Sequence, residues 1–98
     1  MSAYFVFNYT ITNPEDYAAY PVAAFPSISS SGAEVLVADY ASESVEGFPG
    51  HVTVVLRFAS KEAARAWYES DAYQAALPLR TANTDGLAVI CDEFSMPS

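Results

Sequence analysis

The 98 residues suffice for one domain with one core, and twelve acids against four bases leave a net charge of −8, which sets aside phosphate backbones and anionic membranes as partners. Apolar residues make up 52% and charged ones only 16%, too apolar for a disordered chain and more than one small globule readily hides; the excess points to a partner surface or an enclosed pocket. One cysteine, Cys91, excludes an internal disulfide and a cysteine metal cluster.

Residues 3–12 read as the first strand, with Phe5, Phe7, Tyr9 and Ile11 on one face and Tyr4, Val6, Asn8 and Thr10 on the other. Asn13-Pro14-Glu15-Asp16 opens a helix: Asn13 caps it, Pro14 suits its first position, and two acids meet the positive end of its dipole. Tyr17, Tyr20, Ala24 and Ile28 follow at helical spacing, Pro21 and Pro26 are expected to kink or split the helix, and Gly32 to end it. A strand is predicted over 34–41, a loop over 42–50, and a strand over 51–59 whose Val52, Val54, Leu56 and Phe58 share a face. Ser60 caps a helix over 61–69 with Ala63, Ala64 and Trp67 as its inner stripe, and Ser70-Asp71 opens another to about 82, bent by Pro78. Asp85-Gly86 reads as a turn and 87–94 as the last strand, in which Cys91 is expected to be packed and unreactive.

The order is β-α-β-β-α-β over residues 1–98 as a single domain, the ferredoxin-like α+β arrangement. Both helices then cover one face of a four-stranded sheet, and the other face is also largely apolar. A second copy of the chain is its simplest cover, giving a homodimeric α+β barrel. No apolar run approaches the ~20 residues needed to cross a bilayer, and Met1-Ser2-Ala3-Tyr4 lacks the basic stretch of a secretory signal. A cytoplasmic setting is expected.

Tyr4 to Thr10, followed by Asn13-Pro14-Glu15-Asp16-Tyr17-Ala18-Ala19-Tyr20, resembles the opening of the domain-of-unknown-function 1330 family. The stretch from Phe58 through Trp67-Tyr68, Ser70, Tyr73-Gln74 and Leu79 to Arg80 is its most specific match. The resemblance implies a dimeric α+β barrel, a fold whose other members include cofactor-free monooxygenases, polyketide cyclases and muconolactone-type isomerases. The chain departs from the family pattern in having no arginine near Ala38-Asp39, in offering His51 where a basic residue opens the third strand, and in having Arg57 where a glutamate is usual.

His51, the only histidine, is the candidate general base, and a solvated strand end is its plain alternative. Arg57, between Leu56 and Phe58, is the second catalytic candidate, because a cation there needs an anion or an ion pair. The two lie about 20 Å apart along a straight strand, with Arg57 assigned to a pocket interior and His51 to its entrance. Arg80 is placed to anchor a carboxylate or enolate, or to close its helix. Tyr17, Tyr20, Tyr68 and Tyr73 are candidates to present hydroxyls to a ligand, with Trp67 grouped with them; core packing is the alternative for all. Asn8 and Asp39 are polar positions inside strands. No metal-ligand spacing, Gly-rich phosphate loop or nucleophile elbow is present, so no metal and no cofactor are expected. Two functions remain: a cofactor-independent cyclase, isomerase or lyase acting on an aromatic or polyketide-like carbon acid, or a non-catalytic dimer that either binds a small apolar or aromatic ligand or serves as an accessory protein.

Overall fold

The computed structural model describes residues 1–96. Strand β1 (Ala3–Ile11) alternates as its sequence requires, with Ala3, Phe5, Phe7 and Tyr9 buried and the residues between them only partly so. Asn13 accepts a hydrogen bond from the Asp16 amide at 3.4 Å and starts the short helix α1 (Pro14–Tyr17). Pro21 explains why α1 stops there. It has no N–H to give the Tyr17 carbonyl, so the helical ladder breaks and α2 (Ala19–Ser30) begins afresh, with Pro21 in its first turn, where no donor is needed. Pro26 stays inside α2, and Gly32, at φ +79°, turns the chain out of it.

Strand β2 (Glu34–Asp39) pairs with β3 (Val52–Phe58) through a register shift between Val35 and Val37. Ser60 caps α3 (Lys61–Glu69), accepting from the Ala63 amide at 3.0 Å, and Ser70 caps α4 (Asp71–Thr81), accepting from the Tyr73 amide at 3.2 Å. Strand β4 (Thr84–Asp92) takes in the Asp85-Gly86 pair expected to form a turn. Gly86 lies opposite Tyr9, and a Cβ there would stand 2.3 Å from the Asn8 carbonyl oxygen and 2.5 Å from Tyr9 Cα. The glycine marks a close backbone approach inside a strand, which a two-residue pattern does not separate from a turn.

The sheet order is β2-β3-β1-β4, all neighbours antiparallel, with the helices on one face. This is the ferredoxin-like α+β fold. The core lies between sheet and helices around Phe5, Phe7, Tyr9, Leu56, Phe58, Trp67 and Tyr73, each buried large side chain contributing about 1.5–3 kcal/mol of transfer free energy. On the opposite face the register lines up Val37, Val55, Val6 and Val89 in one row across all four strands. Cys91, paired with Tyr4, lies on this same face and is exposed, contrary to the packed position expected of it; the helices that would bury it cover the other side.

Candidate functional site

Helix α2 makes its closest approach to α4. The gap beneath it, over the β2–β3 half of the sheet, is a cavity of about 140 Å³. Its floor is Phe7 and Tyr9 of β1 with Val54 and Leu56 of β3; Tyr20, Pro21 and Ala24 of α2 form the roof, and Trp67 closes the inner end. Phe25, Val35, Ala38 and Tyr40 stand at the outer side, where Phe25 and Tyr40 are 60% and 47% exposed and form a rim open to solvent. An apolar cavity of roughly 150 Å³ accepts one benzene-sized ring.

Two hydrogen-bonded sets of phenols meet this cavity. In the first, the hydroxyl of buried Tyr17 lies 2.6 Å from that of Tyr9 and 3.2 Å from that of Tyr40. In the second, the hydroxyls of Tyr20 and Tyr73 are 2.7 Å apart, and Arg80 Nε donates to Tyr73 Oη at 3.3 Å. The Arg80 side chain turns inward from the last turn of α4 and is only 7% exposed. Its guanidinium carbon stands 5.0 Å from the Phe7 ring centre and 5.9 Å from those of Tyr9 and Tyr20, three rings that wall the cavity. Burial opposes its charge, but the hydroxyls of Tyr73 and Tyr20 outweigh that and raise its pKa further. Burial raises Tyr9 to about 12 despite its hydrogen bond from Tyr17, and pushes Tyr17 and Tyr20 well above the ordinary tyrosine range. At neutral pH these phenols are therefore protonated hydrogen-bond donors and not bases.

Of the residues singled out from sequence, Tyr20 and Trp67 line the cavity. Tyr17, Tyr73 and Arg80 stand directly behind its wall, joined to it by hydrogen bonds or ring contacts. Tyr68 is elsewhere, stacked on Phe5 with ring centres 5.4 Å apart. Arg57 does not reach the cavity: strand parity sends it to the open face of the sheet, where it is ion-paired with Glu34. That placement corrects its assignment to a pocket interior, for the apolar neighbours Leu56 and Phe58 point to the other side of the strand. His51 is exposed just before β3, outside the cavity lining, and its carbonyl accepts from the Ser42 amide. Asn8 is on the open face too, bonded through both side-chain ends to Gly50, with further bonds to Val52 and Thr53. Sequence reading passed over Phe7, Tyr9, Ala24, Ala38 and Tyr40 as site residues. Phe7 and Tyr9 carried a core signal identical to that of a cavity wall, and small Ala24 and Ala38 make room in a way no motif announces. Among the described residues no group of three His, Cys, Asp or Glu side chains could hold a metal ion, and no helix is long and apolar enough to cross a membrane.

The family model described as "Domain of unknown function (DUF1330)" matches residues 2–94. Among solved structures, RPA0582, a protein of unknown function from Rhodopseudomonas palustris, superposes with a TM-score of 0.79 at 14% identity, covering 97% of this chain and 84% of that one. SnoaB, a cofactor-independent oxygenase from Streptomyces nogalater, gives 0.68 at 9% identity over 97% of this chain and 95% of that one. An antibiotic biosynthesis monooxygenase gives 0.56 at 15% identity over 97% of this chain and all of that one. At such identities the likeness is one of fold. No curated protein matches the chain.

Proposed function

The chain belongs to the DUF1330 family, and we propose that it is a cofactor-independent enzyme of the cyclase, isomerase or lyase kind, working as a homodimer on a small aromatic or polyketide-like carbon acid. The observation that carries this reading is the cavity under α2: the size of one ring, apolar on most of its wall, and lined in part by Tyr9 and Tyr20, whose phenols stay protonated. Phe7 and Trp67 would stack on the ring, while the two phenols hydrogen-bond an oxygen on which charge develops as the carbon acid enolises. That SnoaB, a cofactor-independent oxygenase, has the same fold supports a reaction without a cofactor. His51 stands apart from this cavity, so the carbon-bound proton passes to solvent water at the open rim, and the reading favours a substrate acidic enough to give it up to water while the phenols stabilise the enolate oxygen.

A non-catalytic ligand-binding dimer is the second reading, and one observation favours it: among the described residues no carboxylate or imidazole lines the cavity. Amide chemical-shift mapping with small phenols and aromatic β-diketones tests both. Shifts are expected around Tyr20, Ala24 and Trp67, and Ala38→Leu, which fills the cavity from its exposed side, is expected to abolish them with the melting temperature unchanged. Binding that survives Ala38→Leu would overturn the assignment. Binding without consumption of any β-diketone would leave the second reading in place.

A further inference from the structure

Three of the four bases in this chain are ion-paired at the surface: Arg57 with Glu34, Lys61 with Asp92 and Arg65 with Glu69. The fourth, Arg80, is the buried one, and among the described residues it has no carboxylate partner although the chain carries twelve acids. Phenol hydroxyls and aromatic faces sustain its charge, but no anion balances it. The titratable groups packed against it are Tyr73 of its own helix, Tyr20 of α2 and Tyr9 of β1, all phenols.

The hydrogen bonds around it run in one direction. Arginine only donates, so Tyr73 Oη accepts from Arg80 Nε. Tyr73 is 0% exposed, and the other partner of its hydroxyl is Tyr20 Oη at 2.7 Å, so its proton goes to Tyr20. Tyr20 Oη is then an acceptor toward Tyr73, and its own proton is turned away from the pair. Tyr20 is one of the residues that line the cavity, so a proton it donates into that space would be polarised by the cation behind it.

Resting on the reading of the cavity as an aromatic-ligand site, we infer that it takes its ligand as an oxyanion, a phenolate or an enolate, whose oxygen accepts from Tyr20 and whose charge is balanced by Arg80 through Tyr73. Tyr20 is the residue that touches the ligand; Tyr73 and Arg80 position and polarise it. The site thereby holds its anion inside a protein of net charge −8, which discriminates against anions everywhere else on its surface.

para-Nitrophenol reads this directly, because only its phenolate absorbs in the visible. Titrated in the presence of excess protein, the bound probe is expected to ionise at least about one pH unit below the free probe, a tenfold preference for the anion. para-Nitroanisole, the same ring without an ionisable oxygen, is expected to bind at least about tenfold more weakly than the phenolate. Tyr20→Phe and Arg80→Met should each remove the shift. Where Arg80→Met does not fold, Tyr20→Phe decides, since it deletes a hydroxyl and no packing volume. Equal binding of the two probes, or a shift that persists in Tyr20→Phe, overturns the oxyanion assignment and leaves the cavity as a neutral aromatic site. Failure of both probes to bind overturns the assignment together with the functional reading beneath it.

Discussion

Tyr17 holds its hydroxyl between those of Tyr9 and Tyr40, and the cost of ionising such a group shows in the response of the whole protein to alkali. Burial raises its pKa first, with the hydrogen bonds to Tyr40 and Tyr9 adding to it; Tyr20 is raised by burial and by Tyr73, against the pull of Arg80. Tyr9 moves from 10.0 to about 12. Because the folded state keeps these protons longer than the unfolded chain, their contribution to stability is complete below pH 10 and is lost as pH rises from there through about 12. The urea midpoint is therefore expected to stay level up to about pH 10 and then to fall, with tyrosinate absorbance appearing in step with unfolding. A midpoint unchanged through pH 12 would contradict the buried phenol network. The sequence reading had marked Tyr17, Tyr20, Tyr73 and Arg80 as candidates. Their partners are not legible there, because a phenol pair joining α2 to α4 leaves no trace in residue spacing, and the sequence assigns Arg57 to the interior, with His51 at its entrance, because the immediate neighbours of Arg57 are apolar. In a strand those neighbours face the other way.

Helix α2 sits where it does because two buried bonds hold it to the other helices. Tyr20 binds Tyr73 of α4, and Ser27 Oγ accepts from Trp67 Nε1 of α3 at 3.1 Å while donating to the Ala24 carbonyl at 2.7 Å. Ser27→Ala leaves the indole N–H without its partner, a loss of about 1–3 kcal/mol. The midpoint of urea denaturation should fall with its slope unchanged, and the Trp67 emission, from a residue that walls the cavity, should shift. An unchanged midpoint would mean that the bond contributes nothing to placing α2. Most of this level was legible beforehand. Asn13, Ser60 and Ser70 announced their helix starts, and the alternation in β1 and β3 gave the buried faces, because caps and periodicity are local. The gap under α2 was not, because an apolar helix stripe looks the same whether it packs on a sheet or on another helix. Gly86 was misread for a similar reason: its role depends on Tyr9, far away in the chain.

At the scale of the molecule the open face of the sheet is the feature still to be accounted for. The row Val37, Val55, Val6 and Val89 crosses it from edge to edge, with Leu87 and Cys91 beside Val89 on the same side of β4. Val37, Leu87 and Val89 are 40%, 57% and 46% exposed, a patch that water wets at a cost and that a second copy would remove. The proposed homodimer is expected to bury more than ~1,200 Å² in total, the lower end of specific interfaces. Cys91 then becomes its reporter. In the single chain the thiol is exposed, so it reacts freely with Ellman's reagent; in a dimer closed over this face it is shielded. Labelling of the native protein should slow as protein concentration rises through the dimer dissociation constant. Val55→Lys places an unpaired charge at the centre of the valine row. It would have to be buried on association, so this variant should scatter as a 10.6 kDa monomer and label fast at every concentration. Fast, concentration-independent labelling of the unsubstituted chain, with a 10.6 kDa species in light scattering, would show that the face is left open and would remove the dimer from the proposed function.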